Sequence, residues 1–217
     1  MTGSMLIPLK DTMHIISSGL LTPTIAVLLL FIALMVIELG SLLVEALTER
    51  RKVKPDLSAL LDAFQEKEPQ EIMKEIDNSR LFRRQKAVLG ELIKHRDLPA
   101  ASHQALARRL LAREELHYAR ITNRTDLVAR LGPMLGLMAT LIPLGPGLIA
   151  LGQGETRILA DSLLTAFDAT VTGLAAAGVA FVISRLRKRW YEDYLSSLEA
   201  LLESLLEVLD RERRIKE

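Results

Sequence analysis

Three stretches of the chain are apolar for longer than a soluble helix needs, and the polar positions outside them recur at helical spacing. Residues 20–44 read LLTPTIAVLLLFIALMVIELGSLLV and carry one charge, Glu38. They meet the about 20 residues that a bilayer core requires at ~1.5 Å of rise each, and Pro23 sits where a first turn tolerates it. Residues 131–152 (LGPMLGLMATLIPLGPGLIALG) and 158–185 (ILADSLLTAFDATVTGLAAAGVAFVISR) are joined by the short polar turn 153–157. Each predicts a membrane-crossing helix. Pro143 and Pro146, with Gly145 and Gly147, predict a kinked or partly unwound outer half of the second span.

The intervening segment 45–130 is charged and helical in pattern. Leu57, Leu60, Leu61 and Phe64 share one helical face, and Ile72 and Ile76 repeat the spacing after Pro69. Ser79 is placed to cap a helix through Lys94, and Pro99 or Ser102 to open another. That last helix meets no glycine or proline until Gly132-Pro133, so it predicts one rod running into the second span. After the third span, segment 186–217 predicts an amphipathic helix with an a/d seam of Leu195, Leu198, Leu202, Leu205 and Leu209. The seam suits either self-association or packing on the protein's own helices.

Composition agrees with this segregation: 49% of the 217 residues are hydrophobic and 25% charged, with a net charge of only +1. Apolar spans and charged segments outside them account for both figures better than one uniform globule does. The absence of cysteine excludes disulfides and thiolate chemistry, and aromatics at 4% leave little for base stacking. Arg83-Arg84 and Arg108-Arg109 are interleaved with acids, which suits a solvated helix face rather than a nucleic-acid site. Residues 1–19 lack the basic start of a cleaved leader, and the first apolar run ends in charge, so it reads as a retained span behind a short external segment.

The positive charges assign an orientation. Arg50, Arg51, Lys52 and Lys54 follow the first span, and Arg185, Arg187, Lys188 and Arg189 follow the third, whereas the hairpin turn carries Arg157 alone. Basic flanks stay cytoplasmic, which puts the N-terminus outside, the turn outside and the C-terminus inside. Arg185, Arg187 and Trp190 fall at the membrane interface on this reading. Glu38 lies toward the charged end of its span, where it pairs with an interfacial arginine or reaches for the headgroups.

A lipid anchor has no need of the polar groups inside the hairpin: Thr140, Thr165, Asp168, Thr170 and Thr172. With about 3.6 residues per turn, Thr165, Asp168 and Thr172 share a face and Thr170 points to the other side. A carboxylate at this depth costs about 2.5–3.5 kcal/mol on insertion scales, so Asp168 is expected to face a bundle interior or a wet cavity. The threonines can equally bond to carbonyls one turn back. Gly136, Gly173 and Gly178 are expected to let helices approach closely. His14, His95, His103 and His117 form no metal-ligand pattern, and no nucleophile elbow, phosphate loop or catalytic cluster is present, so neither a cofactor nor an enzyme is expected.

Gly136-Leu137-Met138-Ala139-Thr140 and Ala166-Phe167-Asp168-Ala169-Thr170-Val171-Thr172-Gly173-Leu174 together resemble the paired signatures of the MotA/TolQ/ExbB proton-channel family. The single span before a large insertion resembles the three-span TolQ/ExbB branch. The resemblance implies an all-α integral membrane protein with long cytoplasmic helical extensions, pentameric around a central pore in the cytoplasmic membrane. It further implies a dimeric single-span partner of the MotB/TolR/ExbD type and ion-motive force converted into movement of that partner. Thr140 and Thr170 match the family's channel-lining threonines. Relatives often carry a glutamate near the place of Thr165, whereas the carboxylate here is Asp168, which leaves the transported ion as H+ or Na+. The alternative is a non-conducting membrane scaffold that assembles other proteins.

Overall fold

The computed structural model describes residues 12, 15–47, 57–66 and 69–216; the basic run after the first span, most of the N-terminal segment and His14 lie outside the described residues. Among the described residues all regular structure is helical. The helices are α1 (Leu21–Glu45), α2 (Leu57–Glu66), α3 (Pro69–Asn78), α4 (Arg83–Lys94), α5 (Ala100–Gly152) and α6 (Thr156–Lys216). Three helices are long and apolar enough to cross a membrane: those over Ile15–Glu45, Ala100–Gly152 and Thr156–Ile215.

The predicted rod is present: α5 runs for 53 residues, more than twice what a bilayer core needs. It runs unbroken through Pro133, Pro143 and Pro146, so of the two alternatives expected for the outer half, kinked or partly unwound, the unwound one is not seen. Each proline removes a single ladder donor, leaving the carbonyls of Ala129, Ala139 and Ile142 without their usual partner, and a membrane helix tolerates that loss when neighbouring groups compensate. Pro99 precedes the start of α5 and accepts a bond from the His103 amide at 2.9 Å. Ser79 does not cap α4, which begins at Arg83. Its hydroxyl donates to the Ile76 carbonyl at 2.6 Å, so it closes α3 instead.

The turn between α5 and α6 follows from two glycines. The Glu155 amide donates to the Ala150 carbonyl (2.9 Å) and the Gly154 amide to the Leu151 carbonyl (3.0 Å), with Gly154 at φ +84°. This is a left-handed glycine termination that satisfies carbonyls at a helix end, and it reverses the chain in three residues.

The chain forms two compact units. The first comprises residues up to Ser41 together with Asn123–Arg185, and the second comprises Leu42–Thr122 with Leu186–Glu217. In the second, Leu60, Phe64, Ile72 and Ile76 are buried with Leu89, Leu92, Leu110 and the C-terminal seam Leu198, Leu202, Leu205 and Leu209. The seam is therefore used within the protein. In the first, small side chains predominate: Ala176 and Ala180 pack with Phe31, Met35 and Val128, and Ala139 and Ala169 with Leu28.

Candidate functional site

Glycine sets how closely the hairpin helices approach. A Cβ placed on Gly173 would stand 2.7 Å from the Gly132 carbonyl oxygen and 3.1 Å from the Gly136 Cα. One placed on Gly132 would stand 2.8 Å from the Gly173 oxygen. Those neighbours are backbone, so no side-chain rotation relieves the clash. Gly132 and Gly136, four residues apart on α5, thus meet Ala169, Gly173 and Ala177, also four apart on α6. Nearer the turn, Gly147 is approached closely as well, here by the side chains of Ser162 and Leu159. Gly136 and Gly173 pack as the sequence predicts. Gly178 does not: it is exposed with nothing near its missing Cβ, because five residues on from Gly173 the helix has turned its face away. Gly132 is the close-contact glycine missed in the sequence, where its spacing to Gly136, mirrored by Ala169, Gly173 and Ala177, was the available signal.

Thr170 borders this contact, its Cα being 3.5 Å from the Cβ position of Gly136 and the residue half-buried. Thr140 lies four residues further along α5, about 6 Å of rise toward the turn. The two threonines therefore occupy neighbouring levels of one hairpin. Each hydroxyl donates to its own helix: Thr140 to the Leu137 carbonyl (2.6 Å), Thr170 to Ala166 (3.1 Å) and Thr165 to Asp161 (3.0 Å). With the proton so placed, the hydroxyl oxygen presents acceptor lone pairs to whatever lies beside it.

Asp168 is on the opposite side of α6 from Thr170, as the helical offset requires. It faces no interior of this chain. It is exposed, among Leu164, Phe167 and Val171, each more than 60% accessible, with Thr165 exposed and Thr172 half-buried on the same side. Two apolar helices buried on their small-residue faces leave their large apolar faces, and Asp168, turned outward.

A partly buried polar pair lies at the far end of the hairpin, where the sequence shows no sign of it. Ser184, at the end of the third span, donates to Asp126 of α5, and Thr125 beside it is fully buried. Asp126 sits in a charged segment that reads as solvated, and one sequence does not reveal a pairing across 58 positions.

Of the residues expected at the membrane interface, Arg185 is exposed with its guanidinium 5.6 Å from the Phe181 ring centroid, Trp190 is half-buried, and Glu38 is half-buried. Arg187 is different. At 2% accessibility it is a core residue of the second unit, its Nε 3.6 Å from a carboxylate oxygen of Glu45 at the end of α1. Near this pair the three tyrosines of the chain gather: Tyr118 packs at a tilt on Tyr191 (4.2 Å between ring centroids) and edge to face with Tyr194 (4.9 Å). Burial pushes the Tyr191 and Tyr194 phenols well above their usual range, with Glu45 adding to the shift at Tyr191. Further out, Glu114, almost fully buried, takes a two-pronged bond from Arg84 (2.9 and 3.0 Å), which raises the guanidinium's pKa against the opposing effect of its own desolvation.

Among the described residues no group of three His, Cys, Asp or Glu side chains gathers as a metal site would require. No curated protein matches the chain in sequence. The model of the MotA/TolQ/ExbB proton channel family does, over residues 60–200, a match that takes in the hairpin, both threonine signatures and most of the second unit. With three helices able to cross a membrane and that match over more than half its length, the chain is a multi-pass membrane protein belonging to the MotA/TolQ/ExbB proton channel family.

Proposed function

We propose that this protein is the ion-conducting subunit of a stator-like complex in the cytoplasmic membrane. Several copies, five by family likeness, surround the membrane helices of a dimeric single-span partner of the MotB/TolR/ExbD type. Ions, protons in the first instance, cross between subunit and partner, and their flow drives movement of that partner. The N-terminus and the hairpin turn face outward, and the second unit faces the cytoplasm.

The observation that carries this reading is the placement of Thr140 and Thr170 at neighbouring levels of two helices whose backbones approach closely at Gly132, Gly136 and Gly173. The close approach at Gly132–Gly173 and the apolar group of Val128, Ala176 and Ala180 favour a route along the hairpin rather than between its helices. An ion therefore passes along the hairpin's surface, where threonine oxygens accept bonds from a hydrated ion or from a protonated partner carboxylate. Asp168, exposed at membrane depth, calls for water or protein supplied by another chain. Thr165 and Thr172 flank it on the same side and belong to the same proposed wet surface.

The test is Thr170→Val, which keeps the side chain's shape and removes its hydroxyl. Losing a bond to a charged group is worth about 1.5–3 kcal/mol, so gradient-driven flux in the assembled complex is expected to fall about tenfold or more. Unchanged flux in a normally assembled complex removes Thr170 from the path. A scaffold without conduction predicts no flux with or without the partner.

A further inference from the structure

Charge on the second unit is separated between its two long helices. Residues 100–113 of α5 contain three arginines, Arg108, Arg109 and Arg113, and no acid. Residues 190–210 of α6 contain six acids and neither lysine nor arginine. Arg108, Arg109, Arg113, Glu199, Glu203 and Glu207 are all exposed, and none makes an ion pair among the described residues. The two helices run antiparallel, and Tyr118 packs against Tyr191 and Tyr194. Nine residues back from Tyr118 is Arg109, and nine on from that tyrosine pair spans Ala200 to Glu203. Equal rise per residue puts the basic and acidic stripes at one height.

We propose that these stripes are the two halves of a head-to-tail interface: the arginines of α5 on one copy of this chain meet the glutamates of α6 on the next. This rests on the homo-oligomeric assembly proposed above and adds the surface through which it forms. The occupant is a second copy because both halves of the complementary pair are exposed at the same height. Copies that share one membrane orientation are related by rotation about the membrane normal, which preserves height, so the arginine stripe of one copy is at the right height to meet the glutamate stripe of its neighbour. Two different patches in contact make a heterologous interface, which gives a ring where the rotation closes. Exposed ion pairs contribute only about 0–1 kcal/mol each, so the stripes fix orientation and register more than they hold the ring together.

The absence of native cysteine makes the test clean. A chain carrying both Arg109→Cys and Glu199→Cys, in membranes, is treated with a short bismaleimide, and native mass measurement of the same preparation counts the copies. The expected result is a ladder of linked chains. That ladder is lost when Arg108 and Arg113 are reversed to Glu, or Glu203 and Glu207 to Arg, and recovered when both reversals are made together. Links confined within single chains, or no links, in an assembly of several copies overturn the interface and leave the assembly standing. A single-copy mass overturns both. A ladder that survives either reversal alone overturns the charge pairing as its cause.

Discussion

Adding one methyl group at Gly173 is predicted to force the hairpin apart, while the same change at Gly178 is predicted to leave it intact or strengthen it. Both glycines are internal to α6, so each gains the helix propensity of alanine, at most about 1 kcal/mol. At Gly178 nothing opposes the gain, because the space is open. At Gly173 the new Cβ lies 2.7 Å from the Gly132 oxygen, about 0.7 Å inside the ~3.4 Å of an ordinary close contact. Both sides of that clash are backbone, so the helices must separate. Separation costs dispersion along the whole contact, including Ala169 on Ala139 and Leu28. Overpacking costs about 1–3 kcal/mol, and because propensity cancels between the two variants, that cost is the expected difference in their stability. Reversible unfolding in detergent or thermal melts of the two purified variants measure it. Equal stabilities would refute the claim that α5 and α6 touch through glycine.

Other expectations follow from the second unit and the turn. Removing Arg84 leaves the Glu114 carboxylate buried and unpaired, so Arg84→Met is expected to cost about 3 kcal/mol, whereas Glu114→Gln frees an arginine already 46% accessible and costs about 1 kcal/mol; equal effects in denaturant unfolding would contradict the asymmetry. Tyr191 and Tyr194 have folded pKa values raised above the unfolded value of about 10, so the unfolded state binds fewer protons above that pH, and stability is full below it and falls as pH rises further. Ultraviolet titration is expected to show these two tyrosines ionising later than free tyrosine; three ordinary titrations would refute the burial. Gly154→Ala places a side chain at φ +84° and is expected to cost about 1 kcal/mol, read as a lower melting temperature. Asp168→Asn is expected to alter ion selectivity or the pH dependence of flux, and identical titration curves would take Asp168 out of the mechanism.

The spans and the α5 rod were legible because their signals are local: apolar runs of sufficient length, and no glycine or proline before Gly132-Pro133. Helical periodicity likewise identified Phe64, Ile72, Ile76 and the leucine seam as buried positions. It could not say what covers the seam, since a buried stripe reads the same whether its partner is a second copy or Leu60 and Leu92 of the same chain. Arg187 was read from its basic neighbours as interfacial, and only the arrival of Glu45, far away in sequence, makes it a core residue. For Gly178 the difference is one of angle: the side of α6 that meets α5 is set by the Gly132–Gly173 contact, and Gly178 falls outside it. Asp168 also lies on the side away from α5.

The most direct test of the central claim is proton flux into liposomes holding the purified complex of this chain with a single-span partner that carries a membrane-buried carboxylate. Under an imposed proton gradient the complex is predicted to conduct, and the same complex with Thr170→Val to conduct about tenfold less or lower still at unchanged assembly mass. Flux no greater than through protein-free liposomes, or equal flux from the two complexes, would contradict the account.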